Sequence, residues 1–236
     1  MKTNVLLTGR GNNTLKDKNI LDVLDHPVMY YPANACKVAR YVDNLYCSSD
    51  DDNILRIAKE IGYEPIKRPE ELALPTAQHI DCIMHGLEYM KEKNDLPDIL
   101  VVALANNVTI KSKWVDDCIE IMKKDMEISA VVPVYQDNDH HPLRAKRIDN
   151  NGNIQTYEKI EGKVSTNRQD LEPCYFISHN IWVLNVNKLL NDKDGQEPWS
   201  FMGNNIKPYI IDESLDIHQK TDLYLAKEWI INNYTD

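Results

Sequence analysis

Short apolar, β-branched runs at residues 4–8, 44–48, 99–104 and 129–134 are bounded by polar residues and do not alternate strictly, which predicts strands buried on both faces. Between them, residues 33–40, 53–61, 78–91 and 113–123 carry apolar side chains at three- and four-residue spacings, as in Ile54, Ile57, Ala58 and Ile61, and read as helices. Strand and helix in repeated alternation predict an α/β fold: a mostly parallel sheet with helices on both faces and ligands at the carboxyl ends of the strands. Residues 135–173 break the pattern. They are polar and charged, with Asn150-Asn151-Gly152 as a hairpin turn, and should project from the core as an arm. A strand at 175–184, a loop rich in Gly, Pro and Asn at 192–205, a strand at 207–211 and a helix at 221–230 complete the reading.

With 236 residues the expectation is a single catalytic domain, 1–236, carrying the arm. A formal net charge of -10 argues against nucleic acid or an anionic membrane as the main partner, so a strongly anionic substrate would need a local cationic pocket. No apolar run approaches the roughly 20 residues that span a bilayer, and Met1-Lys2-Thr3 leads straight into a strand, so a cytoplasmic location is expected. Cys36, Cys47, Cys82, Cys118 and Cys174 are scattered, never in a CxxC pair, and read as reduced core thiols.

The first strand is followed by Thr8-Gly9-Arg10-Gly11-Asn12-Asn13-Thr14-Leu15-Lys16-Asp17-Lys18-Asn19, where α/β proteins bind phosphate. Gly9 and Gly11 can adopt positive φ and let backbone N–H groups approach a phosphate, while Arg10, Lys16 and Lys18 supply charge. A dinucleotide fingerprint fails because its third glycine is Thr14, and the GK[ST] ending of a Walker loop is absent. Taken alone, the segment could equally be a glycine turn with solvated cations.

Read with later segments, the loop resembles the start of the acylneuraminate cytidylyltransferases, the CMP-sialic acid synthetases and their relatives, whose first strand enters an ARGGSKGxxxKN-like motif ending here as Lys18-Asn19. Cys47-Ser48-Ser49-Asp50-Asp51 is similar to the family's STDD strand end, and Arg68-Pro69-Glu70-Glu71-Leu72-Ala73 to its RPxELA segment. Asn167-Arg168-Gln169-Asp170-Leu171 resembles RQDLP, and Asp216-Ile217-His218 with Asp222-Leu223 and Ala226 resembles DIDxxxDLxxAE. The resemblance implies a Rossmann-like nucleotidyltransferase core, CTP as donor, Mg²⁺ or Mn²⁺, and a homodimer in which the arm reaches the partner subunit. It also implies that Lys18, Arg10, Gly9, Gly11 and Asn12 hold the triphosphate, that Asn19 and Arg68 recognise base or ribose, that His79 faces the nucleotide, and that Asp216 binds metal. His218 stands where the family has a second aspartate; imidazole suits Mn²⁺ better than Mg²⁺, and His218 could equally act as a general base or be a surface residue.

The acceptor positions depart from the family. Ala105 replaces a glutamine, Ser178-His179-Asn180 an NGA triplet, and Trp182 a tyrosine. An unpaired buried polar group on a ligand costs on the order of 1 to 3 kcal/mol, which argues against sialic acid itself. With Ala105, Ser178 and Trp182 as pocket positions, Arg144, Lys146 and Arg168 are candidate partners for an acceptor carboxylate or phosphate, and Trp199 and Phe201 candidate walls. The leading expectation is CMP transfer to an unusual ulosonic (2-keto-3-deoxy) sugar acid. Transfer to a phosphonate or phosphate-bearing acid, and a noncatalytic nucleotide-binding protein, remain as alternatives.

Overall fold

The computed structural model describes residues 1–11, 13–192 and 194–234. In chain order the elements are β1 (Thr3–Thr8), β2 (Asp22–Val23), β3 (His26–Pro27), α1 (Tyr30–Lys37), β4 (Asn44–Ser49), α2 (Asp52–Ile61), β5 (Glu64–Lys67), α3 (His79–Glu92), β6 (Ile99–Leu104), α4 (Ser112–Lys124) and β7 (Ala130–Gln136). They continue with β8 (Lys146–Ile148), β9 (Ile154–Thr156), β10 (Tyr175–Ile177), β11 (Ile181–Asn185), α5 (Val186–Asn191), β12 (Ile206–Ile210) and α6 (Lys220–Asn233). Strands β5, β4, β1 and β6 run parallel in that order; β11 follows, antiparallel to both β6 and β7, and β7 in turn pairs antiparallel with β10 and parallel with β12. This is the mostly parallel α/β sheet that the apolar runs predict.

Residue parity explains why both faces are covered. Val5 and Leu7 of β1, with Val101 and Ala103 of β6, pack with Cys36, Ala58 and Ile119 from α1, α2 and α4. Leu6, Leu100 and Val102 point the other way, with Ile83, Leu87 and Met90 from α3. A strand whose two faces both meet helices must be apolar at every position, so the runs show no alternation. Cys36, Cys47, Cys82 and Cys118 are buried and all five thiols are free.

Several boundaries differ from expectation for identifiable reasons. Helix α1 starts at Tyr30 and includes Pro32, which a first turn tolerates because its N–H groups have no intrahelical partner. It ends early because the backbone N–H groups of Arg40 and Tyr41 donate to Asp116 Oδ1, at 2.8 and 3.3 Å. Strand β5, absent from the sequence reading, is a short edge strand, where Pro65 is tolerated. The expected strand at 175–184 is two strands, interrupted at Ser178-His179-Asn180 because the Asn180 side chain takes the Ile181 N–H at 2.7 Å.

The arm leaves the sheet after Gln136 and returns at Tyr175, its register partner. Its hairpin, β8 with β9, pairs only with itself, turns at Gly152 with φ +81°, and is exposed at every strand position. Among the described residues no helix is long and apolar enough to cross a membrane.

The amino ends of the strands are tied by Asp95. Its carboxylate accepts from Lys2 Nζ at 2.8 Å, Asn4 Nδ2 at 2.8 Å, Asn44 Nδ2 at 3.1 Å and Tyr46 OH at 2.6 Å. Burial pushes this acid up, but the donors outweigh it and its pKa falls below the usual carboxylate value. A folded-state pKa below the unfolded one contributes stability above the unfolded value, which is lost as pH falls. Asp95→Ala should therefore cost about 2–3 kcal/mol at neutral pH in urea unfolding, and the variant should lose less stability than the parent on acidification below pH ~4.

Candidate active site

Gly9 and Gly11 are needed for close approach and not for left-handed backbone. A Cβ on Gly9 would lie 3.1 Å from Ala105 Cβ and 3.3 Å from Asn19 Nδ2, and one on Gly11 2.7 Å from Asp51 Cβ. Neither has positive φ; among the described residues of this loop the left-handed one is Asp17, at φ 58°. Their N–H groups are engaged, Gly9 with the Ser48 carbonyl at 3.2 Å and Gly11 with Asp50 Oδ1 at 3.0 Å. In this conformation both amides expected to approach a phosphate are therefore occupied, and the loop is stitched to the end of β4. Asn19, buried at the 3₁₀ turn Lys18–Ile20, donates from Nδ2 to the Arg10 carbonyl at 2.9 Å and holds the loop closed. Asn12 lies outside the described residues.

At the carboxyl ends of β1 and β6 the loop borders a cleft of about 220 Å³. Gly9, Arg10, Lys18 and Asn19 line one side; Arg68, His79, Leu104 and Asn106 line the rest with residues 72–82. Arg10 spans the mouth, donating from Nη1 to the Leu74 carbonyl at 3.2 Å. Arg68 is 6% exposed and anchored by Nε to Ser48 Oγ at 3.2 Å and Nη2 to the Ser48 carbonyl at 2.9 Å. Among the described residues, Arg10, Lys18 and Arg68 form no ion pair, in a chain with ten more acids than bases. Burial lowers the Lys18 ammonium pKa, with Asp216 opposing and Arg10 reinforcing the shift. Buried or half-buried cations without acid partners are costly, and an anionic ligand would offset that cost.

His79 Nε2 is 3.1 Å from Thr8 Oγ1, and its ring lies 4.9 Å from that of Trp182. Burial, then the Arg68 charge and His179, push its pKa down to about 4. The neutral ring is the folded form above that value, so His79 contributes stability above pH ~6.5 that is lost as pH falls toward 4. An NMR titration of the His79 ring should show no protonation between pH 5 and 8.

Asp216 is not among the residues that line this cleft, but its charge acts on Lys18. Its backbone bridges Asn107, and the Asn107 Nδ2 donates to Asp216 Oδ1 at 2.5 Å. Asn107 is itself fixed by Thr109, whose N–H donates to Asn107 Oδ1 at 3.0 Å, and by Ser214, whose Oγ accepts at 3.1 Å. Asp216 Oδ2 has no hydrogen-bond donor among the described residues and lies 3.8 Å from His218 Nε2. Burial pushes this carboxyl up, against the pull of His179, the Asn107 bond, His218 and Lys18. Asp222, the third residue of helix α6, caps the helix start by accepting from the N–H groups of His218 at 2.7 Å and Gln219 at 2.9 Å.

The expected acceptor residues are not at the cleft. Ala105 is fully buried against Gly9, because parity turns Leu104 and Asn106 to the cleft and residue 105 away. Ser178 is fully buried, its Oγ 2.7 Å from Ser214 Oγ, and Trp182 is 1% exposed in the core, its Nε1 donating to the Ser178 carbonyl at 3.3 Å. Arg144 and Arg168 are arm residues, both paired with Asp139. None of these five lines the cleft in this conformation. His179, which the sequence reading did not single out, has its ring 5.7 Å from that of Trp182 and 5.4 Å from that of Trp199, and the charge of Asp216 acts on it. Its signal in the sequence was the departure from the NGA triplet.

No protein-family model matches the chain. It is 22% identical over 218 residues to the N-acylneuraminate cytidylyltransferase of Escherichia coli O18:K1:H7, a match covering 92% of this chain and 49% of that protein. It is 26% identical over 228 residues to the post-translational flagellin modification protein B of Campylobacter coli, covering 92% and 89%. A third match, 22% over 128 residues, is to a Helicobacter pylori protein named as pseudaminic acid cytidylyltransferase and UDP-2,4-diacetamido-2,4,6-trideoxy-beta-L-altropyranose hydrolase, covering 54% and 24%. The chain is thus similar, at low identity, to sugar-acid cytidylyltransferases. It spans about half the length of the E. coli homologue and about a quarter of the H. pylori one. Among solved structures, a CMP:2-keto-3-deoxy-manno-octonic acid synthetase complexed with CTP is similar at TM-score 0.71 and 12% identity, covering 98% and 99% of the two chains. A cytidylyltransferase of Leptospira borgpetersenii is similar at TM-score 0.61 and 16% identity, covering 100% and 89%. The chain shares the Rossmann-like fold of these two structures.

Proposed function

We propose that the protein is a CTP-dependent cytidylyltransferase that transfers CMP to a sugar acid and releases pyrophosphate. The observation that carries this reading is the convergence of Arg10, Lys18 and Arg68, none in an ion pair among the described residues, on a cleft at the carboxyl ends of parallel strands. The homologues' names supply the nucleotide and the acceptor class. The finer reading is that the acceptor is a 2-keto-3-deoxy sugar acid other than sialic acid.

In this reaction an acceptor hydroxyl attacks the α-phosphorus of CTP, and the chain must neutralise phosphate charge and align the reactants. Lys18 and Arg10 face the triphosphate, and Arg68, rigidly held by Ser48, faces the nucleoside. Asp216 fits a hard divalent cation: one oxygen is anchored by Asn107 and the other has no donor among the described residues, and one carboxylate plus substrate phosphates suffices for Mg²⁺ or Mn²⁺. Such an ion, when bound, would offset charge developing on the phosphates. His179 and Trp199 border the Asp216 side, where the acceptor would approach.

The test is to incubate the protein with a divalent cation, each of the four nucleoside triphosphates and a panel of sugar acids, following pyrophosphate. Release with CTP alone is expected; CTP binding without turnover across a broad panel would favour a noncatalytic nucleotide-binding protein. The arm supports a homodimer, since Ile148 and Ile154, register partners, are 75% and 71% exposed and Tyr157 is 62% exposed. Light scattering should give a dimer, and the Ile148→Asp, Ile154→Asp double variant a monomer.

A further inference from the structure

Asp216 and His218 lie two residues apart between Ser214 and α6, and both are held by their backbones. Asp216 bridges Asn107, Ile217 donates to the Asn106 carbonyl at 2.9 Å, and the His218 N–H is fixed by Asp222 Oδ2 at 2.7 Å. The intervening Ile217 is fully buried, so both flanking side chains emerge toward the same solvent-facing side. Their facing atoms are Asp216 Oδ2 and His218 Nε2, 3.8 Å apart, neither of which is engaged in a hydrogen bond among the described residues. The His218 side chain is 70% exposed and free to rotate, whereas the Asp216 side chain is 20% exposed and locked by Asn107. One anchored carboxylate oxygen beside one adjustable imidazole nitrogen is a mixed donor pair.

We propose that the cation site of this protein takes a first-row transition ion in preference to Mg²⁺, with Asp216 Oδ2 and His218 Nε2 as its two protein ligands. This deepens the proposed function and rests on it only for the nucleotide that would complete the coordination. Mg²⁺ takes oxygen ligands and dehydrates reluctantly, so an imidazole adds little to its binding. Mn²⁺ and later ions accept both carboxylate oxygen and imidazole nitrogen. No three His, Cys, Asp or Glu side chains among the described residues already converge as a ligand set, so an ion would be held weakly by the free protein and firmly with phosphate oxygens present. His179 has its ring confined near Trp182 and Trp199 and is the less adjustable imidazole.

The test uses the full chain with Mn²⁺ as a spectroscopic probe, alone and with a non-hydrolysable CTP analogue. Pulsed electron paramagnetic resonance should show ¹⁴N modulation from a bound imidazole, retained in His179→Gln and lost in His218→Asp. Calorimetry with the analogue present should show Mn²⁺ binding about tenfold or more tighter than Mg²⁺ in the parent protein, with the gap closing in His218→Asp. Absence of ¹⁴N modulation, or its loss in His179→Gln alone, overturns the assignment. The two readings separate cleanly. CTP-analogue binding with Mg²⁺ and Mn²⁺ equally effective and no nitrogen coupling leaves the cytidylyltransferase reading standing and removes this one. Nitrogen coupling through His218 with no affinity for the analogue does the reverse.

Discussion

Replacing Lys18 by alanine should lower kcat/KM for pyrophosphate release by about 10²–10³-fold, the roughly 2.7–4 kcal/mol lost when one preorganised transition-state donor is removed. Lys18 pays a desolvation penalty that lowers its pKa, and no carboxylate among the described residues is within ion-pair distance to offset it. Its removal should therefore leave thermal stability unchanged or slightly raised. That combination, a large kinetic loss without a stability loss, distinguishes a ligand-directed cation from a structural one. Lys18→Arg keeps the charge but replaces a compact ammonium with a planar fork, and should recover only part of the activity. Activity of Lys18→Ala within threefold of the parent would remove Lys18 from the catalytic assignment.

Asp216→Asn should abolish most activity, with an expected loss of about 10³-fold or more, since charge stabilisation by a bound cation is worth several kcal/mol. The amide can still accept from Asn107 Nδ2 through its oxygen, so the local structure that begins at the Asn107 bridge should survive. Burial raises the Asp216 pKa in the folded protein. For an acid whose folded pKa lies above its unfolded value, stability falls as pH rises through the interval between them. Asp216→Asn lacks that interval and should be as stable as the parent, or more so, at neutral pH. Denaturant unfolding of both proteins at pH 4 and pH 7, beside the kinetic assay, checks the pair of expectations. A variant that loses stability at pH 7 in proportion to its activity would mark Asp216 as a structural residue.

What the sequence determined by itself is local. The strand Ile99–Leu104 was legible to the residue because a strand sandwiched between helix layers must be apolar on both faces, and helices α2 to α4 were legible within a residue or two because their apolar spacing follows the helical period. The ordered motifs, from Lys18-Asn19 through Arg68-Pro69 to Asp216, carried the resemblance that the homologues show. The edge strand Glu64–Lys67 was not legible, because four residues with a proline leave no period to read.

Only the tertiary structure decided what each side chain faces. Two neighbours in a strand point to opposite sides, so a motif alignment that is right about Ala105 as a position is silent on whether 104, 105 or 106 meets the ligand. The break at Asn180, which holds the strand end against Leu104 N–H and Thr109 O, leaves Ser178 and Trp182 buried and the His179 ring near Trp182 and Trp199. Gly9 and Gly11 are required by the proximity of Ala105 and Asp51, contacts from distant parts of the chain. Local periodicity encodes which residues are buried, but the direction of a side chain at the end of a strand depends on partners that are remote in sequence, and those are fixed only when the sheet closes.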